Sequence, residues 1–188
     1  MPLLWLAQKQ NGNFTSLAAM KKIAKILEVP DMAVYEVATF YTMYNRTPVG
    51  KYHLQMCGTT PCMVRGAKEV INTALDHLGV EKNHVTADGL FCVTEVECLG
   101  ACANAPMMQV NNEWFYEDLD TKSIINVIEQ FRRGEEPKKG PQINRNNAEG
   151  PMGRTSLHGY ESKPITRDFR AAKKEWEEEK AKAAAAPK

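Results

Sequence analysis

KYHLQMCGTTPC, residues 51–62, opens with strict alternation and closes on a pair of cysteines. Tyr52, Leu54 and Met56 alternate with Lys51, His53 and Gln55, the period-two pattern of a β-strand that runs into Cys57. The period then changes. Val64, Ala67, Val70, Ile71, Ala74, Leu75 and Leu78 recur at helical spacing, and Gly79 stands where a C-terminal cap would end the helix. A second strand is expected from Leu90 to Val96, followed by a second loop carrying Cys98 and Cys102. A strand, loop and helix feeding another strand demand a right-handed crossover. Both cysteine pairs then fall in loops at strand ends, where an α/β sheet presents its sites.

Downstream, Met107 to Val110 and Glu113 to Tyr116 flank Asn111-Asn112, residues that tolerate the positive dihedrals of a tight hairpin. Asp120 can cap a last helix through Ile124, Ile128 and Phe131, closed by Gly134. A thioredoxin-like layer fits this order. Upstream, residues 14 to 44 read as helical. Met20, Ile23, Ala24 and Leu27 form one apolar stripe, with Thr15 or Ser16 as cap and Pro30 as stop. Asp31 is expected to cap a second helix with Val34, Val37, Ala38, Tyr41 and Tyr44 along one side. The aromatic groups at Thr39–Tyr44 and Trp114–Tyr116 are expected to pack in the core. Asn45 to Gly50 reads as a linker. After Gly134 the composition turns to Pro, Gly, Asn and Lys, and residues 135 to 166 are expected to lack a core of their own and to wrap a partner or stay mobile. Thr166 to Ala186 is rich in Ala, Glu and Lys, and reads as a solvated helix or a frayed tail.

With 188 residues, 43% hydrophobic and 25% charged, the chain can bury one ordinary core and a small accessory unit. Its 24 basic and 23 acidic residues leave a formal charge of +1, so no global field recruits nucleic acid or an anionic membrane. No apolar run approaches the roughly 20 residues that span a bilayer. The N-terminus has no secretory pattern and no Arg- and Ser-rich transit pattern. Five cysteines without a secretory signal argue for thiols kept reduced until a metal takes them.

Cys57 and Cys62 form C-x4-C, and 35 residues later Cys98 and Cys102 form C-x3-C. Four thiolates brought to one place hold iron and sulfide, or zinc. Structural zinc knuckles usually use a tighter C-x2-C turn, which favours a 2Fe-2S cluster, although zinc, two disulfides and buried thiols remain open on spacing alone. Cys62 opens a predicted helix, whose N-terminal dipole would favour its thiolate. Gly58, Thr59, Thr60, Gly100, Ala101 and Ala103 are small enough to let backbone N–H groups approach cluster sulfurs, and Pro61 and Pro106 stiffen the loops. Cys92 reads as a small hydrophobe in the second strand, a weak substitute ligand at most. His53, His77, His84 and His158 are scattered without ligand spacing, and Gly150–Gly159 lacks the strand-loop-helix context of a phosphate site.

The stretches YEVATFYTMY (35–44, preceded by Val34), Pro48 to Tyr52, Cys57 to Cys62, ECLGAC (97–102) and Asn104-Ala105-Pro106 resemble the thioredoxin-like 2Fe-2S subunits of respiratory complex I, the proton-translocating NADH:ubiquinone oxidoreductase. The likeness runs from about Leu3 to Gly134. Gly140-Pro141-Gln142 and Thr155-Ser156-Leu157 are similar to the tail of mitochondrial and related bacterial members. The resemblance implies a helical N-terminal bundle over 1–47, a thioredoxin-like 2Fe-2S domain over 48–134 in an α+β or α/β layering, and an extended partner-wrapping tail over 135–188. It carries the four ligands to Cys57, Cys62, Cys98 and Cys102. It implies an electron-transfer subunit with no complete active site of its own, exchanging single electrons with FMN on a flavoprotein subunit that also binds NADH. The large iron-sulfur subunit is a further implied neighbour. The implied location is the matrix side of the mitochondrial inner membrane, or the cytoplasmic face of a bacterial one, without insertion. An equivalent subunit of an NAD-linked hydrogenase or formate dehydrogenase is the alternative, and a domain that mainly braces the flavoprotein is a third reading. Two departures stand out: the leading part of the family's first helix is expected to be missing, and the charged extension from Pro164 to Lys188 departs from the usual pattern, so the resemblance carries no contacts to it.

Overall fold

The computed structural model describes residues 1–145, 148–150, 152, 153, 156, 173, 174, 176–178 and 180. Met1–Pro151 forms one compact unit and Met152–Lys188 a second. In the second, the described positions 173, 174, 176–178 and 180 are helical and exposed, with Lys173 and Glu177 paired at 3.9 Å, in line with a solvated helix. His158 and the Thr155 and Leu157 positions lie outside the described residues.

The first unit begins with three helices, α1 (Pro2–Gln10), α2 (Leu17–Leu27) and α3 (Asp31–Phe40). The Ser16 hydroxyl caps α2 by accepting from the Ala19 N–H at 3.2 Å. Asp31 does not cap α3: the N-cap is Pro30, whose ring leaves no side-chain acceptor, and Asp31 is the first helical residue. Leu4, Met20, Ile23, Ala24, Val34, Ala38 and Tyr44 bury one small core. The expected α3 stripe holds as far as Ala38, where it breaks because the helix ends at Phe40. Phe40 is 79% exposed and Tyr41 also faces outward, so this aromatic group is only partly core. Trp114 is exposed too, while Tyr116 is buried.

A polar knot closes the bundle. Gln8, buried in α1, donates to the Met43 carbonyl at 2.9 Å and accepts from the Asn45 N–H at 2.7 Å. A buried amide satisfied on both sides fixes one arrangement of its neighbours. The same exit segment ties the bundle to the sheet, since Asn112 Nδ2 donates to the Met43 carbonyl at 3.3 Å and Asn13 Nδ2 to the Lys51 carbonyl at 2.9 Å.

The remainder of the unit is a five-stranded sheet in the order β2-β1-β3-β4-β5, comprising β1 (Tyr52–Cys57), β2 (Phe91–Val96), β3 (Met108–Val110), β4 (Trp114–Glu117) and β5 (Gly140–Pro141). β1 and β2 are parallel, and β3 and β4 form an antiparallel hairpin. Asn111 and Asn112 both take left-handed dihedrals, φ 54° and 56°, as the hairpin turn requires. The crossover from β1 to β2 contains two helices where the sequence pattern suggests one: α4 (Thr60–Val64) and α5 (Ala67–Leu78) are separated at Gly66, φ 92°. Val64 therefore leaves the stripe and is 80% exposed. α5 packs against α6 (Thr121–Arg132), whose N-terminus carries the expected Asp120 cap as a reciprocal capping box with Ser123. Both helices cover one sheet face, burying Leu54, Met56, Val70, Ile71, Val93, Met108, Ile124 and Ile128.

Gly140 and Pro141 return to the sheet: β5 pairs in parallel with β4 at the Tyr116–Gly140 register. No described helix is long and apolar enough to cross a membrane.

The second sheet face is also covered. His53 and Gln55, the residues that alternate with the apolar ones along β1, are each only 5% exposed. Gln55 Nε2 donates to Asn112 Oδ1 at 2.7 Å, and His53 Nε2 lies 2.8 Å from Thr94 Oγ1. Among the described residues His53 Nδ1 is the buried side-chain polar atom left without a hydrogen-bond partner. Burial pushes the His53 pKa down from 6.5 to about 4. The unfolded chain thus binds more protons between those values, so stability is complete above 6.5 and drains away as the pH falls toward 4. The loss expected is on the order of 3 kcal/mol at 1.36 kcal/mol per pK unit. His53→Gln should flatten this slope in urea unfolding measured across the window, and an unaltered slope would assign it to another group.

Candidate metal centre

The parallel register of β1 and β2 sets Cys57 beside Val96, so the loops that follow the two strands leave the same end of the sheet. The first loop turns into α4, which holds Cys62. The second carries Cys98, passes through a 3₁₀ turn at Cys102–Asn104 and returns toward β3. Backbone bonds tie the loops together: the Gly58 N–H donates to the Val96 carbonyl at 3.1 Å and the Cys57 N–H to the Met107 carbonyl at 3.2 Å.

The four candidate ligands come together as two pairs. Cys98 Sγ and Cys102 Sγ are 3.4 Å apart, and the Gly100 N–H donates to Cys98 Sγ at 3.4 Å. Cys57 and Cys62 are hydrogen-bonded through their side chains. The Thr59 hydroxyl is 3.2 Å from Cys57 Sγ, and it lowers the pKa of both Cys57 and Cys98. The first pair is buried among Ala67, Ala105 and Met107, with Leu99, Ala101 and Phe115 at the edge. The second pair is exposed. Cys92 stays in β2, buried, with its thiol pushed up by that burial.

Each pair shares its acidity unequally. Burial raises the Cys57 thiol, yet hydrogen bonds from the Thr59 side chain and backbone outweigh it and hold the pKa below 9.0. Burial then drives Cys62 up to about 12, with the proton it shares with Cys57 and that neighbour's charge adding to the rise. The expectation that Cys62 would be the favoured thiolate is therefore corrected: α4 is five residues long, and desolvation of its buried sulfur exceeds any dipole benefit. In the exposed pair the Gly100 N–H lowers Cys98, while the hydrogen bond to Cys98 raises Cys102. Each pair thus holds one sulfur whose acidity is raised and one whose acidity is lowered.

Among the described residues no three His, Cys, Asp or Glu side chains converge where a single ion could sit. Tetrahedral zinc needs four sulfurs about 2.3 Å from one point. Two separate thiol pairs suit a two-iron unit, in which each iron takes two cysteines. Cys57, Cys62, Cys98 and Cys102 are the residues that could hold such a group.

Three contributors escape sequence reading. Thr59 reads as no more than a small loop residue, although a hydroxyl two positions after a cysteine is a possible sulfur partner. Glu95, in β2, lies against Gly58. Arg145 sits in a Gly-, Pro- and Asn-rich stretch with no periodic signal. Its guanidinium grips Asp118 through Nε at 2.8 Å and Nη2 at 2.6 Å, and Nη2 also donates to Asn104 Oδ1 at 2.7 Å and to the Ala103 carbonyl at 3.1 Å. It thereby clamps the residues that follow Cys102.

The profile of the thioredoxin-like 2Fe-2S ferredoxins matches residues 1–132. The chain is 51% identical over 168 residues to the mitochondrial flavoprotein 2 of NADH dehydrogenase (ubiquinone) from Dictyostelium discoideum, covering 89% of this chain and 68% of that protein. It is 48% identical over 132 residues to one of the subunits of the NADH-quinone oxidoreductase of Rickettsia bellii, covering 70% of this chain and 78% of that one. Among solved structures, an air-oxidised NAD+-reducing NiFe-hydrogenase superimposes with a TM-score of 0.60 at 21% identity, over 70% of this chain and 23% of that one. That last likeness bears on the fold, and this chain spans less than a quarter of the hydrogenase chain.

The Arg145 and Asp118 side chains are 11% and 7% exposed, so Arg145→Ala strands a nearly buried carboxylate. The expected loss is about 3–5 kcal/mol in urea unfolding, with faster release of bound metal to a chelator because the Ala103–Asn104 turn loses its clamp. Arg145→Lys should recover the charge without the planar fork and fall between the two. An Ala variant equal to wild type in both assays would remove Arg145 from the centre's support.

Proposed function

The chain belongs to the thioredoxin-like 2Fe-2S ferredoxin family, and from that premise we propose that Cys57 and Cys62 hold one iron of its 2Fe-2S cluster while Cys98 and Cys102 hold the other. The chain is an electron-transfer subunit of the NADH dehydrogenase part of respiratory complex I, as its relatives at 51% and 48% identity are named. It works within an assembly of several subunits. The observation that carries the ligand assignment is the meeting of two thiol pairs, from two loops, around the Thr59 hydroxyl.

When bound, the cluster takes up and releases one electron at a time. The protein supplies the setting. Ala67, Ala105 and Met107 keep water from Cys57 and Cys62, which limits the solvent reorganisation around that half of the site. The Gly100 N–H and the Thr59 hydroxyl direct hydrogen bonds at sulfur and stabilise its negative charge. Cysteine thiols give up their protons as iron binds, so loading would release protons. The exposed Cys98–Cys102 side is the one a redox partner can approach.

The partner we infer on that side is the flavoprotein subunit that binds FMN and NADH, with the large iron-sulfur subunit as a further neighbour. The location we infer is a peripheral one on the matrix side of the mitochondrial inner membrane, and the mitochondrial relative supports the organelle. The hydrogenase likeness keeps a diaphorase subunit as the second reading, with far lower identity behind it.

The full chain purified without oxygen should contain iron and acid-labile sulfide in equal amounts, two of each per chain. On reduction it should give a rhombic electron paramagnetic resonance signal. Cys98→Ser should distort or abolish that signal, while Cys92→Ser should leave it in place. Zinc in place of iron would falsify the assignment. Copurification with membrane-arm subunits, rather than with a soluble hydrogenase, separates the two assemblies.

A further inference from the structure

Gly58, beside the candidate ligand Cys57, has no dihedral reason to be glycine, since it is absent from the positive-φ positions. It has a spatial one. A Cβ at this position would overlap the Glu95 Oε1 atom and come within 2.7 Å of Glu95 Cδ and Cγ. The Glu95 side chain therefore occupies the space that the missing methyl leaves. The opposite end of the same carboxylate forms an ion pair with Lys82, both groups being partly exposed. Gly58, Thr59 and Glu95 line one groove of about 510 Å³, together with His53, Gln55 and Thr94. A negative charge is thus lodged one residue from the centre, with a positive charge held against it.

We propose that Glu95, seated on Gly58, lowers the reduction potential of the centre, and that Lys82 limits how far it does so. The inference rests on the reading that Cys57, Cys62, Cys98 and Cys102 hold a 2Fe-2S cluster. Reduction adds one electron, and so one unit of negative charge, to a site that already carries thiolates and sulfide. A carboxylate nearby repels that added charge and an ammonium attracts it, with an energy that falls inversely with distance and effective dielectric constant. Near a protein surface this interaction exceeds thermal energy out to about 10 Å. The glycine matters because it lets the carboxylate rest against the cluster loop instead of swinging into water. The two residues have opposite signs, so their removal moves the potential in opposite directions.

The test is a redox titration of the full chain carrying its cluster, followed by electron paramagnetic resonance at fixed ionic strength, for wild type, Glu95→Gln, Lys82→Gln and the double variant. Iron and sulfide content and circular dichroism establish that each variant is folded and loaded. Glu95→Gln should raise the reduced-to-oxidised ratio at a given potential at least threefold, an upward shift of about 28 mV at 59 mV per decade for one electron. Lys82→Gln should lower that ratio by a similar factor, and the double variant should return toward wild type. Raising the salt concentration should shrink both shifts. Loaded single variants with unmoved midpoints, or with midpoints that move in the same direction, overturn the inference and leave the cluster assignment standing. Should Glu95→Gln fail to load, Lys82→Gln alone decides: a potential that does not fall overturns the inference. Wild type without iron fails at the earlier step, and the ligand assignment goes with it.

Discussion

Parallel pairing of two strands is the constraint on which this molecule turns. β1 and β2 run side by side in one direction, with Cys57 opposite Val96. A parallel pair cannot be closed by a tight hairpin, so the chain must cross over through α4 and α5 before returning. The reward is that the loops after both strands open at one end of the sheet. Thiols 41 residues apart, Cys57 and Cys98, are thereby drawn to one place. The backbone bonds from Gly58 to Val96 and from Cys57 to Met107 fasten that end, so the sulfurs are positioned by the sheet and not by the loops alone.

The centre is built with two different halves. Cys57 and Cys62 lie in an apolar shell, where the charge of a thiolate is costly and the pair keeps a proton on Cys62. Cys98 and Cys102 face outward, where the Gly100 N–H is the main influence on the acidity of Cys98 and the hydrogen bond to Cys98 the main influence on Cys102. Burial keeps water from one pair of sulfurs, and exposure leaves the other open to an approaching molecule. A carrier that must hold an electron and also hand it over needs both.

Support for this arrangement comes from outside the motif. Arg145, contributed by the stretch beyond β5, fixes the turn after Cys102 through Asn104 and Ala103 while neutralising Asp118. The bundle contributes through Gln8 and Met43 to Asn112, and thence to Gln55 on β1. These polar links cover the sheet face opposite α5 and α6, and they explain why His53 is buried in its neutral form. The electrostatic surroundings of the site therefore draw on the bundle, the sheet and the segment after α6.

Local pattern was enough for much of this protein. The alternation from Tyr52 to Met56, the Asn-Asn turn, the Asp120 cap, the Ser16 cap and Gly79 each depend on a few adjacent residues, and each is where the sequence indicates. The cysteine spacing and the family stretches named the cofactor and the four sulfurs to consider. Tertiary structure alone decided the unequal burial of the two cysteine pairs, the burial of both β1 faces, the break between α4 and α5, and the surroundings that Thr59, Glu95 and Arg145 supply. The physical reason is range: turn and cap chemistry acts over three or four residues, whereas desolvation and charge depend on which distant segments the strand register brings together.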